Sequence, residues 1–256
     1  MIESGVGGSM RWPTEPELVP YTPLDLGAVE ALLVLAPHPD DEVFGCGGLL
    51  ALAAQRGARL RIVVATDGVA GGDASMREQE CRAAAHVLLG AAADDALDFW
   101  RLPDRGLEPD DALRTRVAAL LQAFAPSVVV VPSPFEVHPD HRALCRAAVE
   151  AVAALPANAA QLMFCEIGQP LLANALVDIT PVVALKQAAM GCFTSQLAGQ
   201  RYDEQILALN RYRAYTLGPS VTHAEAYLRL DPGDGVWTLQ RVVDEVADAL
   251  HRRVGS

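Results

Sequence analysis

The chain predicts an α/β fold: a Rossmann-like three-layer domain with a mainly parallel sheet and its site at the carboxyl ends of the strands. Three observations predict it. Short apolar runs of strand length recur, as at residues 31–36 (ALLVLA), 59–65 (RLRIVVA) and 127–131 (SVVVV). They are continuous rather than alternating, as strands buried on both faces are. Each leads into a stretch with helical apolar spacing, the alternation that builds parallel sheets. The third observation is that ligand-type side chains gather just after these runs, where open α/β sheets hold their ligands.

Residues 1–25 are rich in Gly, Pro and acidic side chains and read as an irregular tail. Residues 26–256 then form one domain, the leading expectation for a chain of 256 residues that is 51% hydrophobic. The first strand, 31–36, stops at Pro37. After His38-Pro39-Asp40-Asp41-Glu42 comes a helix, with Val43, Phe44, Leu49, Leu50 and Leu52 at three- and four-residue spacing. The second strand, 59–65, ends in Thr66-Asp67-Gly68 and a glycine-rich loop. Residues 75–89 form a helix, with Ser75 as its cap and Glu78 closing a capping box. A short strand at 96–101 precedes the turn-rich Leu102-Pro103-Asp104-Arg105-Gly106 and a helix over 108–124. The fourth strand, 127–131, is stopped by Pro132; His138-Pro139-Asp140-His141 then opens a helix over 142–155. Four strand–helix repeats imply right-handed crossovers. Strands at 161–167 and 175–179 follow, with helices at 181–190, 203–215 and 237–252.

Two strand-to-helix elbows therefore carry His-Pro-Asp plus one more ligand-type residue. At the first, His38 and Asp41 are three apart and can turn toward one point at a helix start. Imidazole nitrogen with carboxylate oxygen suits Zn²⁺. Helix capping by Asp40, Asp41 and Glu42 explains that elbow alone equally well; the second elbow tips the balance toward chemistry. A catalytic zinc needs three protein ligands and one open position. His38, Asp41 and His141 supply three. Asp40 is left as general base, His138 as general acid or partner for developing charge, and Asp140 as a carboxylate that orients an imidazole. The hypothesis requires the two elbows to meet.

The formal charge of −12 argues against nucleic acid and anionic lipid as partners. No apolar run reaches the ~18–20 residues of a membrane span, and residues 1–10 lack the features of a secretory leader. Cys46, Cys81, Cys145, Cys165 and Cys192 are odd in number and form no C-x-x-C pair. They read as buried thiols of a reducing compartment, so the cytoplasm is expected. A homo-oligomer is compatible with the sequence. His86 and His251 read as bystanders, and His223, just before Ala224-Glu225-Ala226-Tyr227, reads as structural, with a place near the cleft as the alternative.

Residues 36–42 (APHPDDE) and 138–141 (HPDH) resemble the two signatures of the PIG-L/LmbE family of zinc-dependent N-deacetylases. Weaker landmarks follow in the family's order: Thr66-Asp67-Gly68, Arg77 with Glu80, Leu102-Pro103-Asp104, Asp178 with Lys186, Ser195-Gln196 and Ala224-Glu225-Ala226-Tyr227. The resemblance covers roughly residues 31–230. It implies removal of an N-acetyl or other short acyl group from a small-molecule amino-sugar conjugate, such as an N-acetylglucosaminide. It implies one catalytic Zn²⁺, a site that other divalent metals also suit, held by His38, Asp41 and His141. Asp40 would be the base, and His138 would assist the tetrahedral intermediate. Arg77, Asp104 and Glu136 are the candidate substrate contacts. One departure is Glu136, which stands where some members carry a tyrosine that polarises the carbonyl.

Two other readings compete. Gly45-Cys46-Gly47-Gly48 invites a nucleotide-binding Rossmann module, but these glycines fall inside the helix rather than between strand and helix. A non-catalytic sensor of the same fold is the other.

Overall fold

The computed structural model describes residues 13–156, 159–230 and 239–254. One helical turn, α1 (Glu15–Leu18), interrupts the described part of the tail. The elements then run β1 (Ala31–Ala36), α2 (Asp41–Gln55), β2 (Arg59–Thr66), α3 (Ala74–Leu89), α4 (Ala93–Ala96), β3 (Leu97–Leu102), α5 (Asp111–Phe124), β4 (Val128–Pro132) and α6 (Pro139–Ala153). After them come β5 (Gln161–Cys165), β6 (Ala175–Asp178), α7 (Val183–Met190), α8 (Thr194–Leu197), α9 (Tyr202–Arg213), β7 (Ala224–Leu230) and α10 (Leu239–Val254). Residue 237, where the sequence places the start of the last helix, lies outside the described residues.

Among the described residues, seven strands form one sheet in the order β3-β2-β1-β4-β5-β7-β6. β3, β2, β1, β4 and β5 pair in parallel, and β7 pairs antiparallel with β5 and β6. The expected mainly parallel, three-layer architecture is what the chain adopts. β1 is buried along its whole length, and its side chains divide strictly between the two faces. Leu32 and Val34 pack into the core beneath α2, α3 and α7. Leu33 and Leu35 pack into the opposite core beneath α5 and α6, joined by Val242 of α10. Burying such a side chain contributes ~1.5–3 kcal/mol, so four of them on one strand anchor its end firmly.

The chain order reverses direction between β1 and β4. From β1 it proceeds outward to β2 and β3; from β4 it proceeds the other way. The two strands pair directly, Leu32 with Val128 and Val34 with Val130. This is the topological switch point, where crevices open at the carboxyl ends. The two histidine elbows leave these two strands, so the sheet delivers the convergence that the chemistry needs.

Several local expectations are corrected. The N-cap of α3 is Asp73, whose carboxylate accepts the Met76 N–H at 2.7 Å; Ser75 sits inside the helix. α2 begins at Asp41, inside the polar elbow rather than after Glu42. β7 has no counterpart among the sequence-derived strands. Its Glu225 is buried, which breaks the apolar run a central strand would show.

Candidate metal centre and active site

β1 ends at Ala36 and β4 at Pro132, and the following turns bring three ligand atoms together. His38 Nδ1 lies 3.1 Å from Asp41 Oδ2. His141 Nε2 lies 3.2 Å from the same oxygen and 3.3 Å from His38 Nδ1. Four-coordinate zinc with bonds of ~2.0–2.1 Å separates its ligands by about 3.3 Å. The three atoms therefore form one face of a tetrahedron of zinc size, and the donor set fits the ion. Asp41 is aimed by the His38 backbone N–H, which donates to Oδ2 at 2.9 Å. Burial pushes the Asp41 carboxyl up, but the charge and hydrogen bonds of His141 and His38 hold it well below its usual range. Burial pulls His141 down, but the carboxylates of Asp41 and Glu136 together outweigh it, raising the imidazole to about 10. A carboxylate kept ionised between two buried imidazoles is a charge pattern that a dication satisfies.

Asp140 is fully buried, and its Oδ2 lies 3.1 Å from His38 Nε2. The same carboxylate accepts the backbone N–H groups of Arg105 (2.7 Å) and Leu107 (3.1 Å). It thereby ties the β3–α5 loop to the imidazole. From that loop, Asp104 brings Oδ1 to 3.3 Å from His38 Nε2. This oxygen is buried and has no hydrogen-bond partner, while Oδ2 accepts the Ala70 N–H. His138 caps α6 by accepting the Asp140 N–H on Nδ1. An acceptor Nδ1 assigns the neutral tautomer with its proton on Nε2. Its ring stands edge-on to His38 with centroids 4.5 Å apart.

Asp40 occupies the N-cap position of α2 but makes no capping bond with its side chain. Its φ of 135° is a region that L residues rarely adopt, and such strain concentrates at functional sites. Arg77 Nη2 donates to Asp40 Oδ2 at 3.0 Å and to the Pro39 carbonyl, and Nη1 donates to the Gly68 carbonyl. Gly68 must be glycine for this approach: a Cβ there would lie 2.6 Å from Arg77 Nη1 and 2.8 Å from Pro39 Cδ. Burial pushes the Asp40 carboxyl well above its ordinary range, the Asp41 charge adds to this, and Arg77 opposes it. A carboxylate that gains a proton readily beside the ligand triangle has the chemistry of a base.

Above these groups lies a cleft of about 280 Å³, walled by Phe44, Gln196 and Tyr202 on one side and by Val137, Ile167 and Gly168 on another. The residues of this wall come from α2, α8, α9, the β4–α6 loop and the β5–β6 loop. A larger hollow of about 400 Å³ lies behind Pro39, lined in part by Glu78, Arg82, Phe99 and Arg101. Both of its arginines pair with Glu78, and the ligand triangle lies outside it.

The structure brings His38, Asp40, Asp41, His138, Asp140 and His141 into one cluster. The three candidate substrate contacts also border the cleft, and two of them are engaged by protein groups. Arg77 spends its Nη groups on protein acceptors and braces Asp40. Glu136 is 1% exposed, and its carboxylate accepts backbone N–H groups of residues 167–169. The glycines at 45–48 are accounted for by packing inside α2, which is non-helical at Cys46. A Cβ on Gly48 would lie 2.4 Å from Ile179 Cγ2.

Residues 33–152 match the family model described as PIG-L, GlcNAc-PI de-N-acetylase. The chain is 30% identical to the diacetylchitobiose deacetylase of Thermococcus kodakarensis over 135 residues, 48% of this chain and 49% of that one. It thus spans about half the length of that relative. It is 26% identical to the probable N-acetyl-alpha-D-glucosaminyl L-malate deacetylase 2 of Bacillus cereus, over 70% of this chain and 90% of that one. Among solved structures, the conserved protein TT1542 of Thermus thermophilus superposes with a TM-score of 0.69 at 31% identity, covering 81% of this chain and 97% of that one.

Proposed function

This chain belongs to the PIG-L family, and from that premise we propose that it is a zinc-dependent N-deacetylase of a small amino-sugar conjugate. The observation that carries the proposal is the triangle of His38 Nδ1, Asp41 Oδ2 and His141 Nε2, with sides of 3.1–3.3 Å and Asp40 beside it on the cleft. The names of the relatives supply the substrate class, an N-acetylated glucosaminide.

His38, Asp41 and His141 would hold the ion, which would lower the pKa of a water and polarise the acyl carbonyl. Asp40 takes the water's proton on the carboxylate that Arg77 holds in place. His138 donates its Nε2–H to the oxygen that becomes negative as the amide carbon turns tetrahedral. Its Nδ1, engaged by the Asp140 N–H, keeps that donor in the right tautomer. The protonated Asp40 can return its proton to the leaving nitrogen. Asp140 holds His38 by its far nitrogen. The unpartnered Oδ1 of Asp104 is the acceptor we assign to a sugar hydroxyl.

The glycine run fails as a nucleotide loop, because packing against Ile179 and Glu225 fills the space a phosphate would need. A sensor is disfavoured because base, ligand set and oxyanion donor are all present. No helix among the described residues is long and apolar enough to cross a membrane. Five free cysteines fit a cytoplasmic setting. The test is amine release from a panel of N-acetylated sugar conjugates, with and without a chelator, alongside metal analysis. Release that is undiminished in metal-depleted protein, or absent across the panel with metal bound, would count against the proposal.

A further inference from the structure

We propose that Glu136 is a positioning residue: one buried carboxylate orients the His141 imidazole and also pins the wall of the cleft at residues 167–169. The inference rests on His141 being a metal ligand.

His141 uses Nε2 in the ligand triangle, so its Nδ1 faces the other way. That nitrogen is buried and makes no well-aligned hydrogen bond among the described residues. What it faces is Glu136 Oε2, at 3.4 Å. The distance is long for a hydrogen bond and short for an accidental approach of two buried polar groups. A ligating histidine commonly donates its second N–H to a carboxylate, which fixes the tautomer and the ring. With its proton on Nδ1 toward Glu136, His141 presents a bare Nε2 beside His38 and Asp41.

The rest of the carboxylate is committed to the β5–β6 loop. Oε1 accepts the N–H groups of Ile167 (2.9 Å), Gly168 (3.1 Å) and Gln169 (3.3 Å), and Oε2 accepts that of Gly168 at 3.0 Å. Successive amides converging on one anion form a nest. Ile167 and Gly168 line the cleft. The loop comes this close because residue 168 is glycine: a Cβ there would lie 2.9 Å from Glu136 Oε2. Metal affinity and substrate fit thus share one group. A side chain so enclosed does not take over the carbonyl-polarising task of the tyrosine that some relatives carry at this position.

Three variants separate this role from plain structural support. In Glu136→Gln, metal affinity measured by chelator competition falls about 10- to 100-fold. KM rises, while kcat at saturating zinc and substrate stays within a few-fold. The thermal stabilisation gained on adding zinc shrinks, because it follows metal affinity. Gly168→Ala pushes on the same carboxylate from the loop side; it raises KM, weakens zinc binding less, and is non-additive with Glu136→Gln. Wild-type zinc affinity in Glu136→Gln, or a lower melting temperature with an unchanged zinc-dependent gain, overturns the proposal. His141→Ala is the control: if it binds zinc like the wild type, the metal-centre reading itself fails. Loss in His141→Ala without loss in Glu136→Gln sinks only the role of Glu136.

Discussion

His38 Nδ1 and His141 Nε2 lie 3.3 Å apart although 103 residues separate them in the chain. Neither elbow builds this contact alone. It exists because β1 and β4 are neighbours at the point where the parallel part of the sheet reverses its order. His38 lies two residues past the end of β1 and His141 in the first turn of α6, so the pair is set by where two elements of the central fold begin and end.

That origin makes the ligand triangle sensitive to each of its corners. Replacing His38, Asp41 or His141 by Ala should each weaken zinc binding more than about 100-fold, beyond the 10–100-fold typical of outer partners. Far-ultraviolet dichroism should stay close to wild type, because the strands carry the fold. Zinc content after dialysis against a graded chelator series measures the effect. A variant that keeps its ion removes that residue from the centre.

Asp40 makes a different prediction because it lies outside the triangle. Asp40→Asn keeps the shape and the ion but cannot accept a proton. Turnover should fall roughly 10²–10⁴-fold, the usual contribution of a positioned base, with zinc stoichiometry unchanged. Arg77→Met should also lower turnover, since it frees the Asp40 carboxylate that Arg77 holds at 3.0 Å. Steady-state kinetics paired with metal analysis decides the matter. Lost zinc in Asp40→Asn would make it a ligand, and full turnover would remove it from the reaction.

Much of this was legible in the sequence because two physical signals coincide there. Continuous apolar runs mark β1, β2 and β4, and ligand-type residues follow two of them, at once after β1 and after a short loop beyond β4. His38, Asp41 and His141 are local to their elbows, so their spacing shows. The walls of the cleft are different. Gln196 and Tyr202 reach it from distant helices, and Gly168 from a loop that Glu136 organises from 32 residues away. Such contacts depend on sheet order, which a one-dimensional pattern does not encode. β7 was hidden for a related reason: its Glu225 looks wrong for a central strand until Lys186 and the break in α2 are seen beside it. Arg77 and Glu136 read as substrate contacts because their polar partners are mostly backbone groups, which sequence does not display.

Gly48 offers a test of packing without chemistry. Alanine is the better helix former by ~1 kcal/mol, so propensity alone predicts stabilisation by Gly48→Ala. The new Cβ would instead lie 2.4 Å from Ile179 Cγ2 and 2.9 Å from Glu225 Oε1. Overpacking of this kind costs ~1–3 kcal/mol, so the steric term wins and the variant should be destabilised. Denaturant unfolding reads the sign directly. A stabilised Gly48→Ala would mean that α2 shifts freely against Ile179.

The pair of Lys186 and Glu225 gives the largest predicted loss of stability. α2 is interrupted at Cys46, which leaves backbone groups unpaired on both sides of the break. Glu225 accepts the Gly48 N–H at 2.7 Å, the Leu49 N–H at 2.8 Å and the Tyr227 hydroxyl at 2.8 Å. Lys186 donates to Glu225 at 2.7 Å and to the Phe44 carbonyl at 3.0 Å. Both side chains are almost wholly buried, at 0% and 1% exposure, so solvent cannot replace a missing partner. Lys186→Met strands a buried carboxylate, and Glu225→Gln strands a buried ammonium. Each should cost ~3–5 kcal/mol. At about 2–4 °C per kcal/mol for a chain of this size, melting should drop by roughly 6–20 °C. The double variant Lys186→Met/Glu225→Gln contains no stranded charge and should lose less than the sum of the singles, by at least ~1 kcal/mol. Calorimetry of the four proteins closes the cycle. Strict additivity would show that the two residues act separately and that the break in α2 is stabilised by something else.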